Sequence, residues 1–301
     1  MFIRRHPYLF FVLVFTGIVS VTSVLVSLIS GVSERAERKF GERVGVIELK
    51  GVILDAESIL KELKNFRETE NVKAVVLRID SPGGAVGPSQ EIYREIRKTI
   101  GVKPVIASMG AIAASGGYYV AAAADGIMAN PGTITGSIGV IMEFTNFKDL
   151  LDKIGLYPVV IKSGEFKDIG SPVRKLTKAE ETLLQDFVDT VHMQFVRDVA
   201  EGRRMKADAV KKIADGRILS GERALTLGLI DRIGNFSDAV EWAGRRGGIK
   251  GRIITVYPPE KKYPLIRKML EMSSAEIESL IQRVNMNRLT GGYLYNPAGG
   301  R

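Results

Sequence analysis

The sequence predicts an α/β body, a largely parallel sheet covered by helices, preceded by one N-terminal transmembrane helix. Three observations carry this reading. From residue 44 onward, short apolar runs alternate with segments of helical spacing, the order that builds parallel sheets. No charged residue occurs between Pro7 and Ser33. The 301-residue chain is 45% hydrophobic and 26% charged with 11 Pro, which suits one large or two modest globular domains and excludes a disordered or fibrous protein.

Taken in order, Tyr8–Ile29 (YLFFVLVFTGIVSVTSVLVSLI) meets the roughly 20 apolar residues a helix needs to cross a bilayer. A cleaved signal peptide is the rival, but its apolar region usually runs only about 7 to 15 residues. A buried core helix fits less well, because core helices rarely stay apolar on every face. Arg4 and Arg5 oppose Arg35, Arg38 and Lys39 across the segment, so the charge rule is nearly balanced. The very short leading tail favours an extracytoplasmic body. Residues 34–43 (ERAERKFGER) form a charged linker.

Strands are expected at 44–49, 74–79, 104–109, 126–129, 157–161 and 253–257, and helices at 58–66, 90–100 and 115–124. Residues 177–200 place Leu183, Leu184, Phe187, Val188, Val191, Phe195 and Val199 on one face of a long amphipathic helix. Residues 206–247 give short helices with a Gly-rich return, GLIDRIG. After Pro258 and Pro259, a C-terminal helix is expected near 265–284, then the tail GGYLYNPAGGR, which has little core character. The expected division is therefore anchor 1–33, linker 34–43, body 44–257 and C-terminal helix and tail 258–301.

Composition narrows the chemistry. Without Cys there is no thiol nucleophile, disulfide or Cys-ligated metal, and His6 and His192 cannot build a three-His zinc site. No metal or nucleotide motif is present, so no cofactor is expected. The formal charge is +9, but the basic residues are scattered among Glu and Asp. This reads as a solvated surface, with attraction to the nearby membrane surface as the alternative, and not as a nucleic-acid footprint.

Three loop segments put glycines and hydroxyls at the ends of predicted strands, where α/β sheets build their sites. In DSPGG, residues 80–84, adjacent glycines let backbone N–H groups turn toward a ligand, as an oxyanion hole requires, although an ordinary Gly-rich turn has the same look. In MGAIAASGGYY, residues 109–119, Ser115 opens a small-residue helix; on position alone it is an N-cap. In IKSGEFKDIGSP, residues 161–172, Lys162, Lys167 and Asp168 lie together, and a desolvated Lys can activate a Ser without His. A lone loop Lys is ordinarily a surface charge. His192 is a second candidate base, but it sits midway along the amphipathic helix.

These segments, with TGSIGV and DGRILSGERALTLGLID, resemble the signal peptide peptidase A family (peptidase family S49) of the half-length, single-repeat kind, across residues 44–245. Five segments in order make the likeness specific. It implies a ClpP/crotonase-like serine protease, anchored in the cell membrane, that uses a Ser-Lys dyad to degrade remnant signal peptides. Matched by motif, Ser115 is the nucleophile and Lys167 the general base; Gly83 and Gly84 fall on the oxyanion segment, and Ser137 where a hydroxyl orients the lysine. The resemblance also implies a ring-like homo-oligomer, an octamer among its forms, in which a neighbouring protomer completes the dyad. The alternatives are a related protease cutting membrane-protein tails, a crotonase-like acyl-CoA enzyme that needs neither Ser115 nor Lys167, and a non-catalytic membrane scaffold.

Overall fold

The computed structural model describes residues 16, 19–22, 41–259 and 292–294. Nearly all of the expected anchor and the whole of the expected helix near 265–284 lie outside these residues. Among the described residues no helix is long and apolar enough to cross a membrane.

Eight described strands form one sheet. Strands β1 (Arg43–Lys50), β2 (Val72–Ser81) and β4 (Val105–Ala114) run parallel at its centre. The outer members are β5 (Gly126–Ala129), β6 (Ile134–Gly136), β7 (Ile218–Ser220), β8 (Arg232–Ile233) and β9 (Ile254–Val256). Their order is β7-β6-β4-β2-β1-β9, with β5 on β4 and β8 on β5. A second, two-stranded sheet pairs β3 (Gly83–Ala85) with β10 (Gly292–Leu294).

Side chains alternate across the central strands, so the sheet needs cover on both faces. One face sets Val44, Val46, Ala74, Val76 and Ile106 against Ala239 and Ala243 of α8 (Phe236–Arg246). The other buries Leu49, Val75, Leu77, Ile79 and Ala107 under α1 (Glu57–Glu68), α2 (Val86–Ile100), α3 (Gly116–Ala122) and α5 (Lys178–Arg203). Short helices α4 (Lys148–Lys153), α6 (Ala207–Lys211) and α7 (Gly221–Thr226) complete the set.

Every residue of α3 is buried. The Tyr118 hydroxyl donates to the Leu229 carbonyl at 2.9 Å, and the Tyr119 hydroxyl donates to the Asp198 carboxylate on α5. Tyr119 also packs between Tyr93 and Phe195, with ring centroids 5.2 and 4.8 Å apart. A seven-residue helix with no polar face is thereby fixed from three sides.

One sequence expectation fails. Residues 157–161 form no strand: Tyr157, Val159 and Ile161 are 78, 87 and 96% exposed, and no described strand runs beside them. An apolar run reads as a strand only if a partner edge is present. The tail GGYLYNPAGGR, for which the sequence assigns no role, supplies β10, in register with Gly83–Ala85. Strands β3, β6, β7 and β8 are too short to show a period.

Candidate active site

Ser115 stands between β4 and α3 with φ 52 and ψ −119, a conformation costing a non-glycine residue about 1 to 3 kcal/mol. Its backbone N–H donates to the Gly136 carbonyl at 2.9 Å. It makes no side-chain cap bond, so the ordinary N-cap reading does not describe it. Its Oγ is fully buried and has no hydrogen-bond partner. A buried hydroxyl without a partner on a strained backbone is a cost to stability, which points to a use in chemistry.

The glycines of DSPGG lie against it. A Cβ placed on Gly116, the first residue of α3, would stand 3.2 Å from Gly84 N and 3.3 Å from Gly83 Cα. Gly83 takes φ +106, and its N–H donates to Ser81 Oγ at 3.1 Å. Gly84 is fitted to a close approach of chains, for a Cβ there would fall 2.1 Å from the Ile53 carbonyl oxygen. Ile53 N–H donates to Gly83 O at 2.9 Å and Ala85 N–H to Ile53 O at 2.7 Å. By strand alternation the N–H and C=O of Gly84 then face the opposite edge, where Tyr293 is its partner in register. Asp80 acts as scaffold, its carboxylate accepting from Ile112 N–H at 3.1 Å where the register of β2 and β4 shifts.

Ser137 follows Gly136, is buried, and has φ 50 with its N–H donating to Arg217 O at 2.8 Å. The structure therefore brings Ser115, Gly83, Gly84, Gly116 and Ser137 to one end of the sheet. It does not bring Lys167 there within the chain: that residue is exposed, and its Nζ pairs with nothing among the described residues. His192 is no substitute. Its Nε2 is buried on α5 without a partner, and it is not bonded to Ser115 Oγ.

Sequence reasoning missed two contributors. Gly116 offers a backbone N–H that, at the first position of a helix, has no intrahelical acceptor. Arg174 binds the Asp168 carboxylate, with Nε to Oδ2 at 2.7 Å, and also the Glu180 carboxylate, with Nη1 to Oε2 at 2.8 Å. The guanidinium and Lys162 hold the Asp168 carboxyl well below the usual carboxylate range, and Arg174 with Thr177 holds Glu180 down at about 2. Serine next to glycines is a readable signal for Gly116, whereas Arg174 carries none.

The model of peptidase family S49 matches residues 97–250, and that of Clp protease matches residues 43–133. The chain is 44% identical over 230 residues to a protein of Synechocystis sp. named as a protease, covering 76% of this chain and 83% of that one. It is 42% identical over 186 residues to a protein of Enterococcus faecium named as signal peptide peptidase SppA, covering 62% of this chain but only 54% of that one. Among solved structures it resembles a mutant form of 1510-N, a membrane-bound stomatin-specific protease, with a TM-score of 0.50, 18% identity and coverage of 73% and 99%. At that identity the likeness speaks for the fold.

Proposed function

The chain belongs to peptidase family S49, the signal peptide peptidase A family, and is a serine protease; from that premise we propose that Ser115 and Lys167 form its Ser-Lys dyad. The observation that carries the nucleophile is the buried, unpartnered Oγ of Ser115 on a strained backbone beside the glycines. Membership of a protease family sets aside the acyl-CoA and scaffold readings.

Lys167 Nζ takes the proton of Ser115 Oγ, and the alkoxide attacks the scissile carbonyl. The backbone N–H groups of Gly83 and Gly116 hold the developing oxyanion. Gly83 N–H rests on a neutral hydroxyl at 3.1 Å, an acceptor that a charged oxygen outcompetes. Lysine, now protonated, gives its proton to the leaving amine, and water hydrolyses the acyl enzyme. Gly84 serves the substrate backbone: β10 supports this, because an extended segment already pairs antiparallel along the same edge of β3. Ser137 orients the lysine.

The substrates are remnant signal peptides or other apolar peptides, and the protease domain spans 44–257, anchored in the membrane through residues 8–29 with the domain extracytoplasmic. The dyad closes in a ring-like homo-oligomer, up to an octamer. Exposed Lys167 and the uncovered apolar run 156–161 support that assembly, since apolar surface of this kind is ordinarily buried against a partner.

The test is labelling of the detergent-solubilised full chain with a serine-directed fluorophosphonate. Wild type is expected to label, and Ser115→Ala and Lys167→Ala to stay silent. Labelling that persists in Ser115→Ala refutes the nucleophile.

A further inference from the structure

The loop that bears Lys167 is tied to the body in large part by charged groups that the reaction leaves unused. Residues 155–167 are exposed throughout, so no apolar packing fixes their backbone. Lys167 N–H donates to Gly164 O at 3.2 Å, Ile169 N–H to Phe166 O at 3.1 Å and Ser171 N–H to Asp168 O at 3.0 Å, three linked turns. Asp168, next in sequence to Lys167, is where this loop is tied down. Its Oδ1 accepts from Lys162 Nζ at 2.6 Å and Arg174 Nη2 at 2.9 Å, its Oδ2 from Arg174 Nε at 2.7 Å, and its carbonyl from Arg174 Nη2 at 3.1 Å. Lys162 Nζ also donates to Glu165 O at 2.7 Å, closing the loop on its other side.

The same guanidinium grips Glu180 through both Nη atoms. Glu180 is 2% exposed and locked into the start of α5 by a capping box: its carboxylate accepts Thr177 N–H at 2.8 Å, and its own N–H donates to Thr177 Oγ1 at 3.2 Å. Gly170, at φ +76, adds a steric key, since a Cβ there would sit 2.4 Å from the Phe144 ring. The chain of contacts thus runs from a rigid helix end, through one planar five-donor fork, to the residue beside the lysine.

We propose that Arg174 is the positioning residue of the general base, its guanidinium bridging Asp168 to Glu180 so that the Lys167 loop is presented in one geometry. This rests on Lys167 being the base. Only arginine suits the post, because a bidentate fork holds two carboxylates in fixed relation, whereas an ammonium is a point charge. The loop needs such a part because misplacing a reacting group by about 1 Å can cost about 100-fold in rate.

The experiment uses the full chain with Arg174→Gln, Arg174→Lys, Asp168→Asn and Lys167→Ala, reading peptide kcat and KM from pH 6 to 10, fluorophosphonate labelling rate and thermal melting. Arg174→Gln is expected to lower kcat and labelling rate together by roughly 10- to 100-fold with KM within about twofold, and Arg174→Lys to recover only part. An Arg174→Gln protein with kcat within about threefold of wild type overturns the proposal, as does a loss that merely tracks the unfolded fraction. If Arg174→Gln does not fold, Asp168→Asn decides by the same thresholds, since it frees the loop while leaving Arg174 on Glu180. Lys167→Ala separates the two failures. If it still labels, the base assignment falls, and this proposal with it; if it is silent while Arg174→Gln is normal, only the clamp falls.

Discussion

Gly84→Ala is the substitution whose effect the structure fixes most closely. The added Cβ would sit 2.1 Å from the Ile53 carbonyl oxygen and 2.5 Å from its nitrogen, both backbone atoms with no rotamer to retreat to. Relief requires β3 to move from residue 53 by more than an ångström, to reach ordinary contact. That breaks the bonds of 2.9 and 2.7 Å that tie Gly83 and Ala85 to Ile53. At about 0.5 to 1.5 kcal/mol each, their loss amounts to about 1 to 3 kcal/mol, or a melting temperature lower by about 2 to 12 °C. The same shift carries Gly83 N–H away from the oxyanion, so kcat should fall about 100-fold or more. Gly87→Ala is the matched control, inside the first turn of α2 with nothing within 4 Å of its Cβ. It should stabilise by about 0.5 to 1 kcal/mol and leave kcat alone. Melting curves and peptide kinetics on both variants decide. A Gly84→Ala protein that melts and turns over like wild type would mean that β3 does not owe its position to Ile53.

Ser115→Ala should abolish labelling while leaving the melting temperature unchanged or higher, because it removes a buried hydroxyl that has no partner; a clear drop in calorimetry would show the hydroxyl to be structural. Glu180 is depressed to about 2 from an ordinary value of about 4.3, so its contribution to the clamp is present above the higher value and is lost as pH falls toward the lower one. Pepsin nicking of residues 163–170 should therefore begin between about pH 4 and pH 2, and amide exchange there should be unchanged from pH 7 to 5; opening already at pH 6 would contradict this. Truncation before Gly292 removes the strand paired on β3 and should lower KM for peptides, and an unchanged KM would mean that β10 and substrate do not compete. Mixed equally and reassembled, Ser115→Ala and Lys167→Ala should regain about a quarter of wild-type activity if each dyad spans two protomers, and none if each closes within one chain.

The central fold was legible because its forces are local and periodic. Val44–Leu49 and Ala74–Ile79 are unbroken apolar runs but for a single charged residue each, and burial on both faces is what such runs demand. The long helix announced itself through Val191, Phe195 and Val199, all of them buried, but Leu183 and Phe187 on the same stripe are about half exposed. The pattern gave the helix its period and could not say how far along its length a partner would be found. Residues 157–161 failed for the same reason. Apolarity prescribes burial, and among the described residues nothing answers that prescription.

The site divides along the same line. Ser115, Gly83, Gly84 and Gly116 are adjacent because β2 and β4 are neighbours in the sheet and each ends at the same edge, so sequence order and topology together deliver them. Lys167 is delivered by neither. It rides on a segment without apolar packing, where position depends on contacts such as Arg174 with Asp168 and Glu180 that leave no periodic trace. The two halves therefore answer to different physics: Ser115 and the glycines beside it are fixed by a core that forms whenever the chain folds, and the Lys167 loop by an ion cluster. Dilution should act on the second half alone if a neighbouring protomer completes the site, since it separates subunits while the buried sheet is indifferent to it.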